Sequence, residues 1–419
     1  MAENTKKKGL ALHWQILIGI GLGVVAGIVL CKITPYENWY KYIKWAGDIF
    51  LRGLRMIVIP LVFTSIALGV AGMGNSAALG RIAGKTILYY IGTTLIAAVI
   101  GLTLVNLVKP GVGATLNLTE DISSVNAQNV SFIDQIVNIV PSNLFESLAK
   151  GDLLPIIFFA ILFGFFMNKV EKRYADTLTD LFKSIYEVIM KITMFIIRLA
   201  PFGVFAIVAN VVGKQAGNPQ ALLSMAGSLG VFLLVVWGGL LIQGGVVLPL
   251  LVRVIGKQNP WRHIAKMSTA LLTAFSTCSS GAALPINIRD SQEKCGVSSK
   301  IASFVLPLGS TINMNGTALY ECVTALFIAQ AYGIDLTLAQ QIMIVFTALL
   351  AAVGTAGIPM AGMVMLTIVL TAVGLPLEGI GLVLAVEQLC DMPRTCINTY
   401  GDSCGAVIIA HSEGEQLTI

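Results

Sequence analysis

GLVLAVEQLCDMPRTCINTYGDSCGAVIIAH, residues 381–411, decides what kind of protein this is. Within it Glu387, Asp391, Arg394, Asn398 and Asp402 follow one another at steps of 4, 3, 4 and 4 residues. Those steps match the helical repeat, so the five side chains share one face over roughly 22 Å. The opposite face is Leu, Val, Ala, Ile and Cys. A helix that apolar fits a bilayer. A charge inside a bilayer costs about 3 kcal/mol or more unless it is paired or faces a watery cavity, so the stripe reads as a functional surface.

The rest of the chain agrees. Hydrophobic residues make up 56% of it and charged residues 12%, about half the charged share of a soluble protein. Ile16–Cys31, Ile57–Ala71, Ile87–Val108, Leu153–Met167, Leu229–Val254 and Ile342–Val353 are runs that span a bilayer or form much of a span. The expected fold is an all-α polytopic membrane protein.

The net charge of +5 reports orientation rather than an acidic partner such as nucleic acid. Basic residues gather in alternate loops, at Lys6–Lys8, Arg81 and Lys85, Lys169–Lys183 and Arg253–Lys266. The loop near 111–148 has Glu120, Asp121 and Asp134 but no lysine or arginine. By the positive-inside rule the N-terminus and the basic loops are cytoplasmic. Lys32, Lys41 and Lys44 depart from that pattern and read as interfacial anchors beside Trp39 and Trp45. A basic patch before an apolar run also begins a signal peptide. This run is long and ends without a small-residue cleavage signal, so it is read as the first span. Seven scattered cysteines and three histidines, at 13, 263 and 411 and expected at membrane edges, form no CxxC or Cys/His cluster. Neither a zinc site nor a disulfide framework is suggested, and the cysteines read as small buried residues.

Up to about residue 218 the chain reads as ordinary spanning helices, and after residue 222 its character changes. Ile264–Gln292 carries FSTCSSGAALP at its middle, a Ser/Gly run ending in proline between short apolar arms. Thr337–Val373 repeats the plan, with arms QQIMIVFTALLAAV and MVMLTIVLTAV around the tip GTAGIPMAG. Each reads as a re-entrant hairpin, followed by a polar-interrupted helix: NMNGTALYE after the first, the charged stripe after the second. Broken segments in corresponding positions of two repeats point to a transporter's binding site, because irregular backbone at membrane depth must line protein or a cavity. A kink or a surface loop is the plainer reading of either tip taken alone.

Two constellations carry chemistry. In Asn313-Met314-Asn315-Gly316-Thr317 a glycine amid amides and a hydroxyl weakens the helix and frees carbonyls. With Gly309, Asn398 and Asp402 these oxygens suit a hard monovalent cation, sodium. Interhelical hydrogen bonding among the same polar residues fits equally well. Asp391 and Arg394 either pair with each other across one turn, or hold the ammonium and the carboxylate of a zwitterionic acid. The tips at Ser279–Ser280 and 355–362 would offer N–H groups to the second carboxylate.

These residues resemble the glutamate transporter family, the dicarboxylate/amino acid:cation symporters. The resemblance runs through RMIVIPLVFTSI (55–66), LLPIIFFAILFG (153–164), APFGVFAIVA (200–209), CSSGAALP (278–285), LPLGSTINMNGTALYE (306–321), GTAGIPMAG (354–362) and DMPRTCINTYGD (391–402). It implies eight transmembrane helices plus two re-entrant helical hairpins in a homotrimer. Residues 1–78 would give scaffold helices one and two, and 79–110 the third helix, in the transport domain. Residues 111–218 would give scaffold helices four and five, and 219–419 the rest of an elevator-type transport domain. The second hairpin would gate the outside.

Carried over by position, Asp391 would bind the substrate ammonium and Arg394 its side-chain carboxylate. Thr317, Thr395 and Asn398 would complete the pocket, with Ser279, Ser280, Ile358 and Gly362 from the tips, and Glu387 would orient Arg394. One sodium would sit at Gly309, Asn313, Asn398 and Asp402. A second would sit at Thr311 with the carbonyls of Ala352, Val353 and Thr355, and a third at Tyr90, Thr93, Thr94 and Asn313. The family usually has NMDGT where this chain has NMNGT, so Asn315 replaces an aspartate that helps hold the third sodium. Glu321 stands where many eukaryotic members have a glutamate proposed to carry a proton. The implied activity is symport of L-glutamate and/or L-aspartate, driven by sodium and/or protons, in a prokaryotic cytoplasmic (inner) membrane with both termini cytoplasmic. Symport of neutral amino acids or C4-dicarboxylates is the alternative. A dedicated ion channel would not need the Asp391–Arg394 pair, and a membrane enzyme would need a nucleophile–base pair or metal cluster that is missing here.

Overall fold

The computed structural model describes residues 12–71, 77–112, 137, 140–150, 153–215, 219–354 and 360–419. Thr355, Ile358 and the acidic stretch of the 111–148 loop lie outside them. Among the described residues the chain is helices and connecting turns, with no strand.

The first half packs long apolar helices through small residues. α1 (Leu12–Ile33) carries Gly19, Gly23 and Gly27 one turn apart, facing α6 (Ala200–Gln215). A Cβ at Gly19 would lie 2.5 Å from the Pro201 carbonyl, and one at Gly27 would lie 2.9 Å from the Val212 side chain. With no water to squeeze out, such close backbone approach is how helices associate in a bilayer. α2 (Lys44–Ala71), α4 (Leu153–Met167) and α5 (Lys172–Arg198) meet in a phenylalanine cluster. Its rings are Phe63, Phe159, Phe163 and Phe182, the closest pair 5.1 Å apart. α5 and α6 bend by 48° where Pro201 lacks an N–H for the helical ladder, a break in a stretch expected to be ordinary helix. Of the lysines expected as interfacial anchors, Lys41 lies over the Tyr42 ring, close to the buried Trp39.

α3 (Ala77–Val108) packs instead against the second half. There α7 (Pro219–Ile242) passes through a π turn at Gln243–Val247, where two glycines stand together, into α8 (Leu248–Val254). α9 (Pro260–Thr277) and α10 (Ser280–Glu293) form the first hairpin. Its tip turns at Cys278, in the left-handed region at φ 52°, and Ser279 caps α10 by accepting the Ala282 N–H. α11 (Ser299–Ile312) and α12 (Asn315–Ala331) are two parts of one broken helix. α13 (Leu338–Gly354) and α14 (Ala361–Ala372) are the arms of the second hairpin, with Met360 left-handed at φ 60°. α15 (Ile380–Ser412) is a helix of 33 residues, about 50 Å long.

Among the described residues four helices are long and apolar enough to cross a membrane, or five if the bent α5–α6 pair is one span. His263, expected at a membrane edge, is fully buried beside Tyr400 and Cys404.

Candidate functional site

The stripe on α15 is buried along its whole length: Glu387, Asp391, Arg394, Asn398 and Asp402 are each at most 4% exposed. Period-3.6 spacing points them at the hairpins and at α12. Two neighbouring clusters result.

In the first, Arg394 Nη2 donates to Asp391 Oδ1 at 2.6 Å and to Glu387 Oε1 at 2.9 Å. Of the two alternatives read from the sequence the structure shows the pairing: Asp391 and Arg394 bond to each other, and Glu387 holds the guanidinium as well. The Tyr320 hydroxyl donates to Glu387 Oε2, and the guanidinium carbon sits 4.5 Å from the centre of the Tyr320 ring. Arg394 Nη1 keeps its hydrogens, with no hydrogen-bond partner among the described residues. Asp391 also accepts from Thr395 Oγ1 at 3.1 Å and, through Oδ2, from the Met360 N–H at 2.9 Å. That last bond ties the second hairpin to the stripe. Gly362 is glycine for a steric reason: a Cβ there would lie 2.6 Å from Arg394 Nη1.

Gly316 has the same kind of reason. The helix was expected to weaken there, but it breaks earlier, at Asn313 and Met314, and Gly316 lies in the first turn of α12. Its N–H reaches Asn398 Oδ1 at 2.8 Å, and a Cβ would lie 2.8 Å from the Arg394 carbonyl. The Asn398 amide nitrogen donates to Thr317 Oγ1 at 3.1 Å. Asn398 and Thr317 therefore stand together beside the arginine. Ser280, buried, donates to the Ser310 carbonyl at 3.3 Å and so fixes the first tip against α11.

The second cluster lies deeper along α15. Asn313 Nδ2 donates to Asp402 Oδ1 at 2.8 Å, and Asn313 Oδ1 lies 3.5 Å from the Thr93 hydroxyl. Gly309 faces both Tyr90 and Asp402, with a Cβ placed 2.6 Å from the carboxylate. Asn315 comes up to Gly401, and its amide nitrogen has no partner among the described residues. Thr94, buried, has none for its hydroxyl either. Thr93, Asn313, Gly309 and Asp402 are thus brought together. Asn398 turns instead towards Thr317. The Tyr90 hydroxyl donates to the Val305 carbonyl and the Thr311 hydroxyl to the Leu308 carbonyl. Ala352 is buried and Val353 half-buried at the end of α13. Glu321, fully buried on α12, offers two carboxyl oxygens with no hydrogen-bond partner among the described residues.

Sequence reading overlooked several members of these clusters. Tyr320 sits next to Glu321, and Gln388 donates to the Cys278 thiol at 3.0 Å, joining the first tip to α15. Gln243 donates to the Thr93 carbonyl at 3.2 Å from the π turn. A lone amide inside the run LLIQGGVV was the available signal for Gln243. Tyr320 gave none, since a tyrosine in an apolar helix is ordinary.

Comparison with known proteins follows the same residues. The model of the sodium:dicarboxylate symporter family matches residues 12–412. The chain is 36% identical to the proton/glutamate-aspartate symporter of Escherichia coli, over 96% of this chain and 93% of that one. It is 38% identical to a proton/sodium-glutamate symport protein of Bacillus caldotenax, over 98% and 96%. It is 33% identical to the mouse excitatory amino acid transporter 3, over 98% and 88%. The chain belongs to the sodium:dicarboxylate symporter family.

Proposed function

We propose that this protein is a secondary active symporter that imports L-glutamate and/or L-aspartate with sodium and/or protons. The observation that carries the reading is the buried Arg394, braced by Glu387, Asp391 and Tyr320 and still holding unshared donors between the two hairpin tips. A planar fork matches a carboxylate bidentately, and Asp391 supplies the opposite charge an ammonium needs. A bound acidic amino acid gives each partner a new counter-charge: its side-chain carboxylate takes Arg394 and its ammonium takes Asp391. Thr317, Thr395 and Asn398 line the same space, with Ser279, Ser280, Ile358 and Gly362 contributed by the tips. Homologues bearing the names of proton- or sodium-coupled glutamate symporters support this substrate class.

Sodium is the coupling cargo suited to the oxygens at Gly309, Asn313, Asn398 and Asp402, and at Tyr90, Thr93, Thr94 and Asn313, with Asn315 beside them. A further ion would use Thr311 with carbonyls of Ala352, Val353 and Thr355. Asn315 carries no charge, so cation binding near it is weaker than an aspartate would give. Glu321 supplies a carboxyl that can take up a proton. The chain then works as eight spans and two hairpins in a trimer of the inner membrane, with both termini cytoplasmic. Scaffold segments 1–78 and 111–218 stay fixed while 79–110 and 219–419 travel as the elevator.

Uptake of labelled L-aspartate and L-glutamate into proteoliposomes, with sodium and proton gradients imposed separately, tests this. Uptake that needs sodium keeps Asn313 and Asp402 as the motor. Uptake on a proton gradient alone makes Glu321 the coupling group, and Glu321→Gln should then flatten the pH dependence. No uptake under either gradient overturns the acidic-substrate reading.

A further inference from the structure

A groove of about 400 Å³ runs along the outside of α3, behind the cluster that holds Thr93 and Asn313. Its walls are Leu88, Gly92 and Ile96 of α3, Leu251 of α8 with Ile255 at its C-terminal cap, and Ile408 of α15. From Lys85 to Ile96 it extends about 16 Å along the helix. Its walls are apolar except at one end. There Arg81, 63% exposed, and Lys85 both reach Glu413, at 2.6 Å each. Two cations share one carboxylate, so the mouth carries a surplus positive charge. The α3 residues along it stand at helical spacing, and Gly92 leaves the middle open: a Cβ there would meet no atom within 4 Å.

We infer that the groove binds one phospholipid with an anionic headgroup, its phosphate at Arg81 and Lys85 and an acyl chain laid between α3, α8 and α15. An apolar channel with cations at one end matches an amphiphile whose charge is negative, and a basic pocket between spanning helices on the cytoplasmic side is where such headgroups are held. The positive-inside pattern puts Arg81 and Lys85 on that side. The occupant would lie directly behind the cation cluster. Tyr89 lines the groove while its hydroxyl donates to the Gly401 carbonyl at 3.2 Å, and Thr93 lines it while facing Asn313. A seated chain buttresses both side chains, so the lipid tightens sodium binding. Only that last consequence rests on the symporter reading.

The purified full-length chain, stripped of lipid and titrated in native mass spectrometry, gives the binding test. Phosphatidylglycerol should add once per chain and in preference to phosphatidylcholine with the same acyl chains. Gly92→Leu fills the groove from α3 and Ile255→Trp from α8, and each should abolish the adduct. Arg81→Gln should weaken it about fivefold, the worth of one basic contact near the headgroups. A filled variant that still carries phosphatidylglycerol overturns the site, and equal retention of phosphatidylcholine overturns the headgroup contact. In proteoliposomes, phosphatidylglycerol should lower the sodium concentration for half-maximal uptake by the natural protein and not by Gly92→Leu in the same vesicles. An identical shift in both overturns the link to the cation cluster. The mass measurement needs no transport, so failure of the lipid site and failure of the symporter reading are told apart.

Discussion

The two hairpins share a plan and are held in opposite ways. The first, α9–α10, is fastened by polar groups along its length. Asn287 donates to the Thr399 carbonyl, and buried Asp290 takes Arg289 and Lys294 at 2.8 and 2.9 Å. Lys266 donates to the carbonyls of Lys294 and Thr418, and the Thr418 N–H returns a bond to Cys295. The chain after α15 is therefore a strap across the hairpin's base. The second hairpin, α13–α14, buries residues Ala361–Leu370 in almost wholly apolar contacts, and its tip is tied to α15 through the Met360–Asp391 bond. Hydrogen bonds have direction and hold one register, whereas apolar contacts slide at little cost. The comparison teaches that the hairpin with the fewer directional restraints is the one whose polar tether ends on the residue proposed to bind substrate.

The largest effect should come from cutting that tether. Asp391→Asn leaves Arg394 with Glu387 alone as a buried counter-charge and removes the acceptor charge for the substrate ammonium. Breaking a buried pair costs about 3–5 kcal/mol, so aspartate affinity by calorimetry should fall more than about 100-fold. Hydrogen exchange should rise across residues 354–362 and stay level across 275–285. Equal loosening of both hairpins would break the comparison.

Arg394→Cys comes next. It removes the fork for a carboxylate and leaves Asp391 for the ammonium, so aspartate uptake should fall by roughly two orders of magnitude while small neutral amino acids such as serine gain. Undiminished aspartate uptake in this variant would sink the substrate assignment.

A smaller and different loss is expected in the first hairpin. Asp290→Asn takes away the charge that Arg289 and Lys294 address, worth about 2 kcal/mol for hydrogen bonds to a charged group. The melting temperature in detergent should drop while aspartate affinity stays within about twofold. A fall in affinity as large as that of Asp391→Asn would mean that the first hairpin also gates.

Much of the fold and of the site behind this contrast was legible in the residues. The stripe from Glu387 to Asp402 keeps helical spacing, and a stripe of charges on an apolar helix must be buried together, as it is. The Ser/Gly run after Cys278 marked the turn between α9 and α10, although Pro285, read as its end, lies inside α10, and most of the second tip lies outside the described residues. The break in the α11–α12 helix was misplaced at Gly316 because local propensity favours glycine. Its true position at Asn313–Met314 is set by a partner 89 residues away, where the Asn313 amide leaves the helix line for Asp402. How each hairpin is fastened was not legible at all. Met360 acts through its backbone N–H, and the strap depends on where Thr418 meets Cys295.

The smallest effect belongs to the start of that strap. Arg81 and Lys85 hold the Glu413 carboxyl down at about 2, from an ordinary value of 4.5. A carboxyl depressed by folding stabilises the folded chain above its unfolded value, so the contribution is complete above pH 4.5 and is lost as pH falls towards 2. The pair is near the surface, where such bridges are worth about 1 kcal/mol or less. Glu413→Gln should therefore lower the melting temperature slightly at pH 7 and match the natural chain only as pH falls below 2, where both lack the charge. High salt should shrink the difference at pH 7. If the variant instead exposes the α9–α10 hairpin to exchange as fully as Asp391→Asn exposes the second, then the strap is the first hairpin's main restraint and the asymmetry between the two hairpins rests on seven residues after α15.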